Sequence, residues 1–162
     1  MSVMKAKLFA AVLGLLWAGQ PALAQSNCKQ LKGELIVHTQ PGTQVGTITN
    51  GGYLNGTFKA VDTSVAFATP DPKVVSYSQD LIISTHLGQL TATKVGLFDF
   101  ANLPIGALSS IARIGATSAK TGNVTSTGIF AGATGFYFIT GAGALDAAGN
   151  YRAEITGEIC YP

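Results

Sequence analysis

The sequence predicts an all-β protein, an eight-stranded antiparallel up-and-down β-barrel, with a β-sandwich as the alternative. Only 11% of the residues are charged and 20 of the 162 are glycine, a composition that favours strands and tight turns. About eight β-rich runs follow one another at hairpin spacing, and no amphipathic helical segment of useful length interrupts them. The two cysteines lie near the ends of the mature chain, and the first and last strands of a closed barrel are neighbours.

The first 24 residues have the pattern of a cleaved secretory signal. Lys5 and Lys7 form its positive start, Leu8–Trp17 its apolar centre, and Ala22–Ala24 an A-x-A cleavage site. The apolar centre is too short to span a bilayer. We therefore expect a secreted or periplasmic mature chain that forms a single β-barrel domain over residues 25–162.

Charge argues against two classes of partner. Loss of the signal removes two of the ten basic residues, so eight basic residues remain against eight acidic ones and the net charge falls from +2 to zero. A neutral chain does not attract nucleic acid or an anionic membrane, and we expect neither as a partner. Low charge also predicts that the barrel hides its strand edges or buries a face in an oligomer.

Cys28 and Cys160 are predicted to form a disulfide, because both belong to an exported chain. Such a bond would tie the first strand to the last. A catalytic thiol or a metal pair is the alternative, and it is disfavoured because no companion His or Cys lies nearby in the sequence.

Four β-rich runs precede the prolines Pro70 and Pro72, which cannot donate to a strand ladder and so end this half of the chain. Turn signals follow the first run, at Pro41-Gly42, and the second, at Asn50-Gly51-Gly52. The four predicted strands are Lys32–Thr39, Gln44–Thr49, Tyr53–Val61 and Thr63–Phe67.

The second half continues the pattern. Its predicted strands are Val74–Thr85, Gln89–Val95 with an aromatic end at 97–100, Ala107–Ala116, a run starting at Phe136, and Tyr151–Ile159. The last run alternates clearly, with Tyr151 and Ile155 on one face and Arg152 and Glu154 on the other. Such alternation is typical of a barrel wall with one apolar side.

A glycine-rich stretch, Thr127–Gly135, comes just before the Phe136 strand. Its glycines allow the backbone angles needed where a barrel turns a corner. Phe130, inside this stretch, is predicted to plug one end of the barrel.

The same stretch, T-G-I-F-A-G-A-T-G, resembles the G-G-T-G-x-F-x-x-A-x-G signature of dirigent proteins and their bacterial relatives with an allene-oxide-cyclase-like barrel. Thr85-His86-Leu87-Gly88 before a strand, Asp99 at the end of that strand, and Gly157-Glu158-Ile159-Cys160 resemble the small exported bacterial members. The chain departs from the signature at Thr125-Ser126, where the family has Gly-Gly.

This resemblance implies an eight-stranded barrel with a hydrophobic lumen, often assembled as a homotrimer. It also implies a protein that binds a small hydrophobic, phenolic or aromatic molecule. Family members hold a reactive intermediate and steer its cyclisation, coupling or elimination without a redox cofactor. Because a fold does not fix a function, these implications rest on analogy.

Polar residues that point into the lumen would carry such chemistry. We predict His86 and Asp99 as acid–base groups and Arg113 as the group that polarises an oxygen of the substrate. The predicted substrate-binding residues are His38, Tyr53, Tyr137, Arg152 and Glu154. Each also has a structural interpretation, such as a turn cap, a core aromatic or a solvated charge pair.

Other chemistries lack support in the sequence. There is no G-x-S-x-G nucleophile elbow and no phosphate-binding loop. Two isolated histidines and no cysteine cluster predict no metal site, and we expect no cofactor. The leading hypothesis is a cofactor-free isomerase, cyclase or lyase. A non-catalytic carrier and a secreted structural protein with a filled barrel are the alternatives.

Overall fold

The computed structural model describes residues 27–64, 67–100, 107–142 and 148–162, so the predicted signal lies outside the described residues. Three short 3₁₀ turns, Gly52–Leu54, Ala119–Thr121 and Gly128–Phe130, accompany nine strands. The strands are β1 Asn27–Gln40, β2 Thr43–Thr49, β3 Gly56–Asp62, β4 Phe67–Ala68, β5 Val74–Thr85, β6 Gly88–Asp99, β7 Ala107–Ile114, β8 Thr134–Ala142 and β9 Tyr151–Tyr161.

Eight of these strands close into a ring, which confirms the predicted barrel and excludes the sandwich. The sheet order is β3-β2-β1-β9-β8-β7-β6-β5-β4, and an additional antiparallel pairing of β3 with β5 completes the circle. The two-residue β4 pairs only with β5 and lies outside the ring. Closure pairs both edges of every ring strand, so none is left as an open edge for aggregation.

Side-chain alternation places one face of each strand in the lumen. In β7 every second residue is buried, from Leu108 to Ile114. The predicted alternation of the last strand is confirmed, since Tyr151 and Ile155 are buried whereas Arg152 and Glu154 are exposed. The lumen is therefore a packed core over most of its length.

One end of the barrel is plugged, as predicted from Phe130. This side chain has no solvent exposure, and Leu54, from the 3₁₀ turn between β2 and β3, is equally buried. The turn that carries Phe130 is fastened to the β5–β6 turn, where Ile129 N–H donates to the Leu87 carbonyl at 3.1 Å. Gly128, with φ of +62°, passes so close to Leu87 that a side chain there would overlap the carbonyl oxygen.

The predicted disulfide is present at this same end. Cys28 of β1 lies directly opposite Cys160 of β9 in the strand register, and their sulfurs are bonded. Cross-linking over 132 positions of sequence restricts the unfolded chain, an effect worth up to about 4–5 kcal/mol in the chain-entropy model.

Two predicted strands begin later than expected. The strand predicted from Thr63 begins only at Phe67, as β4, and the third strand is also displaced. Tyr53 does not start a strand; it lies in the 3₁₀ turn, and β3 begins at Gly56. The amide of Gly51 donates to the side chain of Asn55 at 2.7 Å, and Leu54 N–H donates back to the Gly51 carbonyl. These local hydrogen bonds pair backbone groups that the strand ladder does not reach. They also orient the Leu54 side chain into the plugged end of the barrel.

Candidate functional site at the barrel mouth

Polar residues concentrate at the end opposite the plug, which we call the mouth. Here β1 turns into β2, β5 begins and β6 ends. The mouth and the lumen beneath it contain Gln44, Asp62, Tyr77, Gln79, Lys94, Phe98, Ser110 and Tyr151, all on lumen-facing positions. Buried polar side chains are costly unless they are paired, so this cluster is the part of the barrel that packing alone does not explain.

Two hydrogen bonds organise the mouth. Gln79 Nε2 donates to Asp62 Oδ1 at 2.8 Å, across the β3–β5 pairing that closes the ring. The Tyr151 hydroxyl donates to Gln44 Oε1 at 3.2 Å. The amide of Gln79 thus orients one oxygen of the only carboxylate among these lumen-facing residues.

Aromatic rings form one wall of the mouth. The Tyr77 and Phe98 rings stack at 4.7 Å between centroids, and the Phe100 ring stacks on Phe98 at 5.9 Å. Tyr151 meets Phe98 edge-on, also at 5.9 Å. Such rings offer a flat apolar surface to a planar ligand.

A cavity of about 230 Å³ lies between the carboxylate and the rings. Its lining residues are Thr39, Gln40, Thr43, Gln44, Asp62, Ser64, Val75, Tyr77, Gln79, Phe98 and Phe100. A buried cavity of about 150 Å³ holds benzene, so this space suits one substituted ring and is below the usual size for drug-like ligands.

Burial shifts the proton affinities of the groups inside the mouth. It lowers the pKa of Lys94 to about 7, although the charge of Asp62 partly opposes this shift. It raises the pKa of Tyr77 to about 12; the nearby Ser110 hydroxyl works against that rise and Asp62 adds to it. Burial also raises the pKa of Tyr151, helped by Tyr77 and opposed by the Gln44 hydrogen bond. Near neutral pH the mouth therefore contains protonated phenols and a partly neutral amine.

The structure does not bring the three predicted catalytic residues together. His86 is exposed in the β5–β6 turn at the plugged end, whereas Asp99 closes β6 at the other end, so roughly 35 Å of extended strand separates them. Arg113 is exposed on the outer wall, where it lies opposite Thr93 and Phe136. Their catalytic role stays a prediction, and it cannot be exercised by all three at one point.

The predicted substrate-binding residues are also dispersed. His38 is exposed near the end of β1, and Tyr53 lies at the plugged end, where the Lys29 ammonium is 5.6 Å from its ring. Arg152 and Glu154 are exposed on β9 and share an outer groove of about 610 Å³ with Glu34 and Ile36.

Tyr137 alone among the predicted site residues is fully buried in the lumen. Its hydroxyl is buried without a hydrogen-bond partner, and burial raises its pKa.

Exposed apolar side chains gather on the outer wall of β6, β7 and β8. Val95, Ile111 and Phe138 lie side by side in the register, and each is more than two-fifths exposed. Leu97 and Phe136 extend the patch, and an outer groove of about 630 Å³ runs along it. The homotrimer implied by the resemblance stays a prediction. If it forms, this wall is the expected interface, because it carries most of the exposed large apolar side chains among the described residues.

Most of the mouth residues were missed by sequence reasoning, although a signal for some of them exists. Lys94 shares its alternation phase with Leu90 and Ala92, and Gln79 shares its phase with Leu81 and Ile83. When a charged or amide side chain lies in the same alternation phase as apolar residues, it is expected to point into the lumen with them. Asp62 shares its phase with Phe58 and Ala60 in the same way, but it is the last residue of its strand.

One potential metal cluster occurs among the described residues. Ligand atoms of Cys28, Glu158 and Cys160 lie within 4.8 Å of one another. Because the two sulfurs are bonded to each other, they offer no thiolate to a metal.

Comparison with known proteins identifies no relative: no protein-family model, curated protein or solved structure matches the chain. The similarity to dirigent and allene-oxide-cyclase-like barrels therefore rests on the sequence motifs and stays a prediction. Among the described residues no helix is long and apolar enough to cross a membrane.

Proposed function

We propose that the protein is an exported barrel that binds a small aromatic or hydrophobic molecule at its mouth and promotes a cofactor-free cyclisation, coupling or elimination there. The single observation that carries the proposal is the cavity of about 230 Å³ in which the Asp62–Gln79 pair faces stacked aromatic rings. Export is supported by the disulfide, which persists in oxidising compartments, and by the signal pattern of the first 24 residues.

Asp62 takes the role that the sequence assigned to Asp99 and His86. A carboxylate held by one amide keeps a second oxygen with which to remove a proton from a bound ring substituent or from carbon beside a carbonyl. Tyr77 stays protonated because burial raises its pKa to about 12. Its hydroxyl therefore donates to an oxygen that becomes negative as the proton leaves.

Binding is tested by filling the cavity. Val75 lines it, whereas Val95 is exposed on the outer wall, so Val75→Phe and Val95→Phe make the same change inside and outside. We expect calorimetric titration with phenol and with indole to show at least tenfold weaker binding in Val75→Phe, a loss of about 1.4 kcal/mol, and no change in Val95→Phe. Absence of binding in the wild type would contradict the proposal.

Catalysis is tested by proton exchange. Acetophenone in deuterated water should lose its methyl proton signal faster with the wild type than without protein, and Asp62→Asn should remove that acceleration while binding persists. A carrier without chemistry is the second candidate, favoured because His86 and Arg113 lie away from the mouth. Binding without accelerated exchange would establish the carrier.

A further inference from the structure

A row of polar side chains crosses the lumen just below the mouth. In the strand register Asp62 of β3 lies opposite Gln79 of β5, and Gln79 lies opposite Lys94 of β6. Lys94 is followed on β7 by Ala112 and on β8 by Tyr137. A carboxylate, an amide, an amine, a methyl group and a phenol thus follow one another across five neighbouring strands.

Two polar atoms in this row have no partner. Gln79 Oε1 and the Tyr137 hydroxyl are buried without a hydrogen bond. Lys94 is 2% exposed, and its ammonium lies 5.2 Å from the centroid of the Tyr77 ring. The ammonium of Lys94 interacts with the Tyr77 ring and with the charge of Asp62. Burial of an ammonium with so little compensation is costly, which indicates a use beyond stability.

Tyr77 separates this amine from the mouth cavity. Its side chain lines the cavity, and its ring is the contact of Lys94. Lys94 itself does not line the cavity, so a ligand at the mouth reaches the amine only when the Tyr77 side chain turns aside.

We propose that Lys94 captures the carbonyl carbon of a small aromatic aldehyde or ketone as a reversible Schiff base, an inference that rests on ligand entry at the mouth as proposed above. The amine lone pair forms a bond to the carbonyl carbon, and the oxygen takes up one proton that the nitrogen gives up. The resulting carbinolamine then loses its hydroxyl group together with the second nitrogen proton as water, and a C=N bond forms. Addition of water returns the aldehyde and the amine, so the step needs no oxidant or cofactor.

The surroundings of Lys94 favour this chemistry. Burial holds its pKa near 7, so a large share of the amine is neutral at neutral pH. An exposed lysine with a pKa near 10.4 offers roughly a thousandfold less free amine under the same conditions. The titratable groups that face Lys94 from other strands are Asp62, Tyr77, Tyr137 and Tyr151, and burial raises the pKa of each tyrosine, so all three stay protonated.

The test is reductive trapping with benzaldehyde as the probe. The full protein is incubated with benzaldehyde at pH 7 and treated with borohydride, and the adduct is located by peptide mass mapping. We expect one benzyl group per chain, at Lys94, and its loss in Lys94→Met. Lys59→Met is the matched control, because Lys59 is exposed on the outer face of β3 and its removal should leave the adduct unchanged.

Competition makes the result independent of how well the variant folds. Benzyl alcohol, which cannot form an imine, should bind the wild type and reduce trapping at Lys94. Binding of benzyl alcohol without an adduct at Lys94, or adducts spread over the exposed lysines, would overturn this inference and leave the proposed function intact. No binding of benzyl alcohol and no adduct would overturn both.

Discussion

The two ends of the barrel differ in what fills them. The plugged end is closed by fully buried apolar side chains such as Leu54, Leu90 and Phe130, and a disulfide joins its first and last strands. The mouth instead buries polar side chains in the lumen, among them Gln44, Gln79, Lys94 and Ser110. Apolar burial stabilises the fold, whereas buried polar groups with incomplete pairing destabilise it.

This difference shows that the residues that stabilise the fold and the residues of the candidate site lie at opposite ends of the barrel. Functional sites commonly keep unfavourable interactions that the rest of the structure offsets. In this barrel the apolar packing of the plugged end offsets the cost of burying polar groups at the mouth. Substitutions at the two ends should therefore have opposite effects on stability.

The largest effect is expected at the plug. Phe130→Ala removes a fully buried ring and should lower the free energy of unfolding by about 3–5 kcal/mol in urea titrations. Ile129→Ala, at a neighbouring position that is 46% exposed, is the control and should cost less than about 1 kcal/mol. Equal losses in the two variants would show that Phe130 does not seal the barrel.

A smaller effect of opposite sign is expected at Lys94. Burial lowers its pKa from 10.5 to about 7, so between these values the unfolded chain binds more protons than the folded one. The free energy of unfolding should therefore rise with pH, by about 3 kcal/mol between pH 7 and 9.5. Above pH 10 the buried tyrosines, whose pKa values are raised, act in the other direction.

Lys94→Met should remove this slope and be more stable than the wild type at pH 6. Lys59→Met is the control and should keep the slope, because Lys59 is exposed. Parallel pH profiles for all three proteins would show that burial does not lower the pKa of Lys94, and the contrast between the two ends would then fail.

The smallest effect is expected at Asp80, which lies on the outer face of β5. Its carboxylate accepts hydrogen bonds from the Ser118 amide at 2.9 Å, from the Ser118 hydroxyl, and from the Thr121 hydroxyl at 2.7 Å. Burial alone would raise the pKa of Asp80, but these bonds, helped by Lys120, lower it. These hydrogen bonds fix the segment that follows β7 and leads to the turn that contains Phe130.

Asp80→Asn should lower the free energy of unfolding by about 1–2 kcal/mol at pH 7 and leave phenol binding unchanged. A carboxyl with a depressed pKa stabilises above its unfolded pKa, near 3.9, so the difference from the wild type should shrink as the pH falls below that value. Asp71→Asn, at an exposed turn, should stay within about 0.5 kcal/mol. A constant difference down to pH 2 would contradict the role of the Asp80 charge.

Much of the fold could be predicted from the sequence because its signals are local. Alternation in Tyr151–Ile159 identified the last strand and its buried face, and the glycines around Phe130 identified the plug. The disulfide followed from two cysteines near the ends of the predicted mature chain. The start of β3 was wrong, because side-chain bonding at Asn55 competes with the ladder.

The site could not be predicted in the same way. In β7, Ile111 and Arg113 share one alternation phase, and Arg113 was predicted to point into the lumen. The structure places this phase outside, which puts Arg113 on the outer wall. A slip of one residue would have exchanged the two faces, and only pairing with the neighbouring strands decides between them.

The sequence by itself determined that this chain is built of antiparallel strands with a disulfide between Cys28 and Cys160, because strand periodicity, turn residues and cysteines act over short distances or at fixed positions. It favoured a barrel over a sandwich, and the pairing of β3 with β5 decided for the barrel. Only the tertiary structure decided that Asp62, Gln79 and Lys94 meet in one row. They are brought together by the closing pair β3–β5 and by the register of β5 with β6. That register depends on packing of the whole lumen, which no single segment of the sequence encodes.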